Sequence, residues 1–244
     1  MLNKIYIKFL SMIIYFIDMQ NKKKIINFFK KKLNKKPLII IDIGAHIGET
    51  ISLFCNNFII ENILAFEANP IVFIKLEKKI KKINNKNKIS LFNLGLGEKE
   101  ENKVLSIFND TSSSTYNTID EKTEYYKRKF FFLSLFTKNI IQKKISTNIL
   151  PLSKINEVNE LKNIDILKID TEGYELNILK GIYQDHFNKI KYIYFEHHYD
   201  LMIKKNYNYS DMKIFLNKNN FYLVFKIKMK FRKTFEYIYE NRNK

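Results

Sequence analysis

Among 244 residues the chain has no tryptophan, one cysteine, three prolines and six glycines. The single thiol, Cys55, excludes an internal disulfide and any metal site built from several cysteines. It falls in a predicted helix and reads as a small buried hydrophobe. Scarce glycine and proline leave no flexible linker, and no internal repeat is visible. The length therefore suits one α/β domain over residues 38–244, with an insert at 103–150 and a basic helical extension at 1–37. No apolar run reaches membrane-spanning length, since the stretch Ile5 to Met19 is interrupted by Lys8 and Asp18. That stretch also lacks the small-residue cleavage site of a secretory signal, so the expected location is cytoplasmic. The missing tryptophan, beside abundant Lys, Asn and Ile, reads as a composition bias of the source genome.

Acidic residues are also few. Asp and Glu number 25 against 43 Lys and Arg, a net charge of +18. Residues 1–40 carry +9 and residues 204–244 carry +8, so the middle of the chain is nearly neutral. Basic flanks suit an anionic membrane surface, a nucleic acid or an acidic partner, or simply keep a lysine-rich chain soluble. The N-terminal segment either packs as a helix on the domain or lies amphipathically on a membrane.

What is present is most informative at Ile39-Ile40-Ile41-Asp42-Ile43-Gly44-Ala45-His46-Ile47-Gly48-Glu49-Thr50. An apolar run ends in Asp42, and two glycines four residues apart lead into a predicted helix. A second apolar run, Ile63–Phe66, ends in Glu67, nineteen residues beyond Gly48. This is the layout of a nucleotide site in a doubly wound α/β sheet. There, glycines permit close backbone approach and the acid at the second strand's tip takes ribose hydroxyls. A dinucleotide fingerprint is G-x-G-x-x-G and seats a pyrophosphate on the helix N-terminus. Here the spacing is G-x-x-x-G, and Asp42 would repel a pyrophosphate but suits the ammonium and sulfonium of S-adenosylmethionine (SAM).

Further strands are expected at 89–93, 103–108, 145–150, 164–169 and 191–195, with a closing hairpin from 221–227 and 235–239. Helices are expected at Glu49–Phe58, from Asn69-Pro70 (cap, then first turn) to about Ile83, at Leu152–Val158 and at Glu175–Lys180. Strands separated by such helices imply a parallel sheet with right-handed crossovers. Thr111–Thr115 reads as a polar turn, and Asp120 to Lys144 as an irregular basic and aromatic segment, a lid or substrate loop.

The block Ile166-Leu167-Lys168-Ile169-Asp170-Thr171-Glu172-Gly173-Tyr174-Glu175-Leu176, followed by Leu179-Lys180-Gly181, is more specific than the glycines. With Asp42–Gly48, Phe66-Glu67-Ala68-Asn69-Pro70, Leu94-Gly95-Leu96-Gly97 and Glu196-His197-His198, it resembles the FkbM family of SAM-dependent methyltransferases over residues 38–200. The resemblance implies a Rossmann-like class I methyltransferase fold, with a mostly parallel seven-stranded sheet and helices on both faces. It also implies methyl transfer, usually to an oxygen of a sugar or small molecule. It says little about the basic flanks or the insert.

Candidate cofactor residues are Asp42 for the SAM amino group, Gly44, His46 and Gly48 in the loop, Glu67 for the ribose, and Asn69 at the next helix cap. Asp170 and Glu172 stand where ligands meet the carboxyl ends of parallel strands. With Lys168 they supply a base, a metal pair or a structural network. His198 or His197, with Glu196 as orienter, is an alternative base, because an ordinary histidine titrates near neutrality. No dedicated metal set is expected. The favoured acceptor is a hydroxyl on a saccharide or small metabolite. A nucleic-acid methyltransferase ranks lower, since no Asn-Pro-Pro-Tyr-like motif follows the fourth core strand. A membrane-peripheral binding protein without turnover is the non-enzymatic alternative.

Overall fold

The computed structural model describes residues 19–33, 36–83, 88–107, 114–134, 143–229 and 233–244. Most of the Ile5–Met19 stretch, Phe108, Thr111, Ser112, Ser113 and the end of the insert before Lys143 lie outside the described residues.

The strands in chain order are β1 Leu38–Ile43, β2 Ile60–Phe66, β3 Lys88–Phe92, β4 Gly95–Leu96, β5 Glu101–Ile107 and β6 Thr118–Ile119. They continue with β7 Lys143–Leu150, β8 Ile164–Ile169, β9 Ile190–His198, β10 Ile203–Lys204, β11 Phe221–Lys228 and β12 Thr234–Asn241. The helices are α1 (19–32), α2 Glu49–Cys55, α3 Pro70–Ile80, α4 Glu124–Ser134, α5 Asn156–Asn159, α6 Glu175–Lys180, α7 Gln184–Phe187 and α8 Tyr209–Lys218.

Seven strands form the main sheet in the order β11-β12-β9-β8-β1-β2-β3. The five from β9 to β3 run parallel, and β12 pairs antiparallel with both β9 and β11, the expected closing hairpin. β1 and β8 are buried along their whole length, which is why LIIIDI and IDILKI read as near-continuous apolar runs. One face packs Ile41, Leu167 and Phe195 against Leu176 and Leu179 of α6 and Met212 and Leu216 of α8. The other packs Ile40, Ile166 and Tyr192 against α1, α2 and α3. In α1, Ile25, Ile26 and Phe29 are buried, and the Phe29 ring lies 5.7 Å from Tyr192 and 5.9 Å from Phe54. Residues 19–33 thus share the core of the domain.

Several local readings differ from the structure, among them those of α2, which ends at Cys55 and not Phe58, and α3, which ends at Ile80. The segment read as irregular between Asp120 and Lys144 contains the helix α4. The helix expected at Leu152–Val158 is a 3-10 turn over Leu152–Lys154 followed by α5, because Ile155 between them is extended (φ −84°, ψ 118°). Strands β4, β5 and β7 stand apart in a three-stranded sheet, with β5 and β7 antiparallel. Outside α1, the Asn69 side chain caps α3 by accepting from the Ile71 N–H at 3.0 Å, with Pro70 in the first turn. α6 keeps its expected bounds.

Candidate active site

The strand order reverses beside β1, with β2 on one side and β8 on the other. Chain segments leaving the two carboxyl ends diverge there and open a crevice. A cavity of about 350 Å³ occupies it. Its lining includes Gly44, His46, Glu67 and Ala68 from the β1–β2 side. From the β8, β9 and β12 side come Lys168, Asp170, Glu172, Tyr194, Glu196 and Glu236. Lys22 of α1, Tyr116 and Met229 also line it. Six carboxylates line it (Glu49, Glu67, Asp170, Glu172, Glu196, Glu236) against two lysines (Lys22, Lys168). A chain of net charge +18 therefore encloses an acidic cavity.

The loop after β1 is built from left-handed residues: Gly44 (φ 77°), His46 (φ 49°) and Gly48 (φ 80°). A Cβ at Gly44 would overlap the Asp170 carbonyl oxygen, and one at Gly48 would meet Leu76 Cδ1 at 2.9 Å. The close approaches these glycines permit are thus to neighbouring protein, which draws the β1 loop against the β8 end and α3. Gly44 faces the cavity, whereas Gly48 sits behind it at the α2 cap.

Glu67 ties this loop to β2. Its Oε2 accepts the His46 N–H at 2.9 Å and its Oε1 accepts the Asn69 N–H at 2.8 Å. Burial raises the carboxyl above its ordinary value, opposed by these two backbone donors. Asn69 is fully buried and stands behind Glu67, donating from Nδ2 to Ser114 Oγ at 3.3 Å. The His46 ring lies 3.3 Å from both Glu49 oxygens. Burial opposes the imidazolium, but Glu49 outweighs it and raises the His46 pKa, while Glu49 itself falls to about 2.

Asp42 is 0% exposed and does not reach the cavity. Lys168, paired with it across the β1–β8 ladder, does. The Lys168 Nζ lies 3.2 Å from Asp42 Oδ1 and 3.5 Å from Asp170 Oδ2. Burial works against the ammonium, but the two aspartates outweigh it and hold the lysine protonated above its usual range. Burial also pushes the Asp42 carboxyl up against the pull of Lys168. The lysine is the firmer member of this pair, since two opposite charges flank it.

The loop after β8 carries Glu172 (φ 51°) and Gly173 (φ 92°). Glu175 holds it: Oε1 accepts the Gly173 N–H at 2.9 Å and Oε2 accepts the Tyr207 hydroxyl. A strap from residue 114 to 119 clamps it from outside, Thr115 Oγ1 donating to the Glu172 carbonyl and Asn117 Nδ2 to the Gly173 carbonyl.

His198 sits among three carboxylates. Its Nε2 lies 3.3 Å from Glu172 Oε2 and 3.4 Å from Glu196 Oε1, and its Nδ1 lies 3.6 Å from Asp200 Oδ2. Burial alone would lower its pKa, but Glu172, Asp200 and Glu196 raise it to about 10. At neutral pH it is an imidazolium outside the cavity lining, which suits a fixed cation that positions Glu172 and Glu196 better than a base. His197 alternates to the other face. It packs 4.9 Å from the Tyr199 ring and 5.9 Å from Tyr207, and burial with Lys205 and His198 lowers it to about 3. Among the described residues no group of three or more His, Cys, Asp and Glu is arranged to hold a metal.

Sequence reasoning missed Glu236 and Lys22 altogether and gave Glu196 only a supporting part. The missed signal is the alternation of β12 set in register with β9, which places Glu236 opposite Glu196.

Residues 42–223 match the model of the methyltransferase FkbM domain. The chain belongs to the FkbM methyltransferase family. It is 25% identical over 158 residues to Methyltransferase 1 of Beauveria bassiana, covering 62% of this chain and 61% of that protein. It is 23% identical over 168 residues to Methyltransferase sdnD of Sordaria araneosa, covering 64% and 65%. The chain thus spans under two thirds of the length of these curated relatives. Among solved structures, the FkbM methyltransferase from Methylobacillus flagellatus KT superposes with a TM-score of 0.53 at 16% identity, covering 87% of this chain and 46% of that one. Magnesium protoporphyrin IX methyltransferase of Synechocystis PCC 6803, solved with bound S-adenosylhomocysteine, gives 0.52 at 9% identity, covering 95% and 86%. The fold of this FkbM chain is accordingly the Rossmann-like methyltransferase fold.

Proposed function

We propose that this FkbM protein is a SAM-dependent methyltransferase that methylates a hydroxyl oxygen of a saccharide or small hydroxylated metabolite. The observation that supports it is a single cavity at the strand-order reversal, which joins the Gly44–Glu67 corner to the acids of β8, β9 and β12. SAM, when bound, supplies the electrophilic methyl group, displaced from sulfur by the acceptor oxygen while the electron pair returns to sulfur.

Glu67, pinned by two backbone donors, offers its remaining lone pairs to the ribose hydroxyls. Lys168 and Asp170 present opposite charges side by side, a match for the carboxylate and ammonium of the SAM amino-acid end. Asp42 then acts through Lys168 instead of touching the cofactor. Gly44 and His46 form the floor, while Gly48 and Asn69 hold the loop and Glu67 in place. With Asp170 committed to the SAM ammonium, Glu172 at the cavity is placed to take the acceptor's hydroxyl proton, and His198 positions Glu172. Holding the reactants in near-attack geometry is worth about 7–11 kcal/mol.

The acidic lining repels phosphate, which sets nucleic acid below a neutral or cationic acceptor despite the basic flanks. Among the described residues no helix is long and apolar enough to cross a membrane. We place the protein in the cytoplasm, with the basic flanks available to an anionic membrane surface. Residues 19–33 belong functionally to the catalytic domain, since Lys22 lines the cavity.

The test is methyl transfer from methyl-labelled SAM to a panel of sugars, hydroxylated metabolites and transfer RNA. Label in an alkali-stable ether on a hydroxylated acceptor supports the proposal. Label on RNA bases instead overturns the acceptor class, and no transfer to any acceptor, with SAM bound, favours a protein without turnover.

A further inference from the structure

We propose that Glu196 and Glu236 form the acceptor half of the cavity and select an acceptor that carries a protonated amine near the hydroxyl to be methylated. This rests on the methyl-transfer reading of the site. The two residues stand directly opposite each other on β9 and β12, and both line the cavity. Side chains opposite each other in an antiparallel pair have Cβ atoms about 4.5–5.5 Å apart, so two carboxyl groups converge on one place.

Glu236 is only 6% exposed. Its Oε1 accepts the Tyr194 hydroxyl at 3.0 Å, whereas its Oε2 has no hydrogen-bond partner among the described residues. A buried carboxylate oxygen without a donor is unfavourable, and a second carboxylate across the ladder makes it more so. Glu196 has the edge of the His198 imidazolium at 3.4 Å, but that cation is shared with Glu172 and Asp200. No lysine or arginine among the described residues comes within ion-pair distance of Glu236; Lys22 and Lys168 act on it only at longer range.

A ligand group that relieves both acids must bring several donors and a positive charge. An ammonium does both. A neutral hydroxyl supplies a donor without the charge, and a phosphate or carboxylate would add a third anion. Burial raises both carboxyl groups, Glu236 to about 7, against the His198 cation beside Glu196 and the more distant Lys22 and Lys168 that act on Glu236; an ammonium brought between the two would favour their ionised forms. The hydroxyl beside the amine then falls within the same cavity as Asp170 and Glu172.

The experiment titrates the full-length protein, saturated with S-adenosylhomocysteine, with three probes that share one ring and differ in charge. These are glucosamine, glucose and glucose 6-phosphate, followed by NMR at about pH 7.5, above the Glu236 value and where much of the amine is still protonated. Glucosamine should bind roughly tenfold or more tightly than glucose, a difference of about 1.4 kcal/mol, and the phosphate should not bind. Glu236→Gln keeps an acceptor for Tyr194 and removes the charge; with Glu196→Gln as a second variant, it should bring glucosamine and glucose within about twofold. Equal binding of glucosamine and glucose, preference for the phosphate, no glucosamine binding, or an unchanged preference in both variants would overturn the inference. Failure of the wild-type protein to bind S-adenosylhomocysteine would instead remove the methyltransferase reading beneath it. Retained S-adenosylhomocysteine affinity in each variant shows that it is folded.

Discussion

Replacing Lys168 with Met should expose how the Asp42 charge is tolerated. Asp42 has no solvent exposure, and no donor among the described residues makes an aligned hydrogen bond to either of its oxygens. Its one close cation is the Lys168 ammonium at 3.2 Å. Removing one member of a buried ion pair costs about 3–5 kcal/mol, because the remaining charge is left uncompensated. For a chain of this size each kcal/mol shifts Tm by about 2–4 °C, so the variant should melt about 6–20 °C lower. The loss should be smaller at acidic pH. Without the lysine the Asp42 pKa rises further, and a carboxyl whose folded-state pKa lies above its unfolded value destabilises the fold only once pH climbs past that unfolded value. Adding Asp42→Asn should restore most of the stability. The double variant then tests the cofactor role: wild type should prefer SAM to decarboxylated SAM, and the double variant should not. Urea unfolding measures the first part and calorimetry the second. A single-variant loss below about 1 kcal/mol at neutral pH would refute the reasoning, since it would mean that Asp42 is not an ionised partner of Lys168.

Gly44→Ala forces a side chain into the Asp170 carbonyl at a left-handed φ. It should destabilise by more than about 1–3 kcal/mol and abolish SAM binding, whereas a stable, binding-competent variant would contradict the packing of these two loops. Removing residues 1–33 strips Ile25, Ile26, Phe29 and Leu33 from the core at about 1.5–3 kcal/mol each, comparable to the whole stability of a domain. No soluble folded protein should result, and a truncated chain that binds SAM normally would make this segment a true appendage. The His198 imidazolium, raised from 6.5 to about 10, contributes stability that is complete below the unfolded pKa and is lost as pH rises through about 10. His198→Gln should therefore cost more at pH 6 than at pH 10, with an upper bound of about 5 kcal/mol, and equal losses at both would contradict the three-carboxylate cage.

The parts of the fold that were legible rest on short-range rules. The apolar runs of β1 and β8, the Asn69-Pro70 cap and the G-x-x-x-G turn each carry their conformation in a few neighbouring residues. Glu67 was legible because its position at a strand tip follows from those runs. The rest depends on register between distant strands. Glu236 reaches the cavity only when β12 pairs with β9 so that it faces Glu196. Likewise, Asp42 loses contact with the cavity only because β8 sets Lys168 beside it. The separate sheet of β5 and β7 was obscured by its half-exposed alternation, which resembles ordinary surface strands, and α4 by the mixture of basic and aromatic residues along it. His198 looked like a base from its residue type, and only the convergence of Glu172, Glu196 and Asp200 converts it into a fixed cation.

The most direct measurement of the central claim is a calorimetric titration of the purified protein with SAM, S-adenosylhomocysteine and NAD, repeated on Glu67→Ala. The account predicts micromolar binding of the first two, no binding of NAD, and a clear loss of SAM affinity in a variant that remains folded. Binding of NAD alone, or SAM affinity untouched by Glu67→Ala, would contradict it.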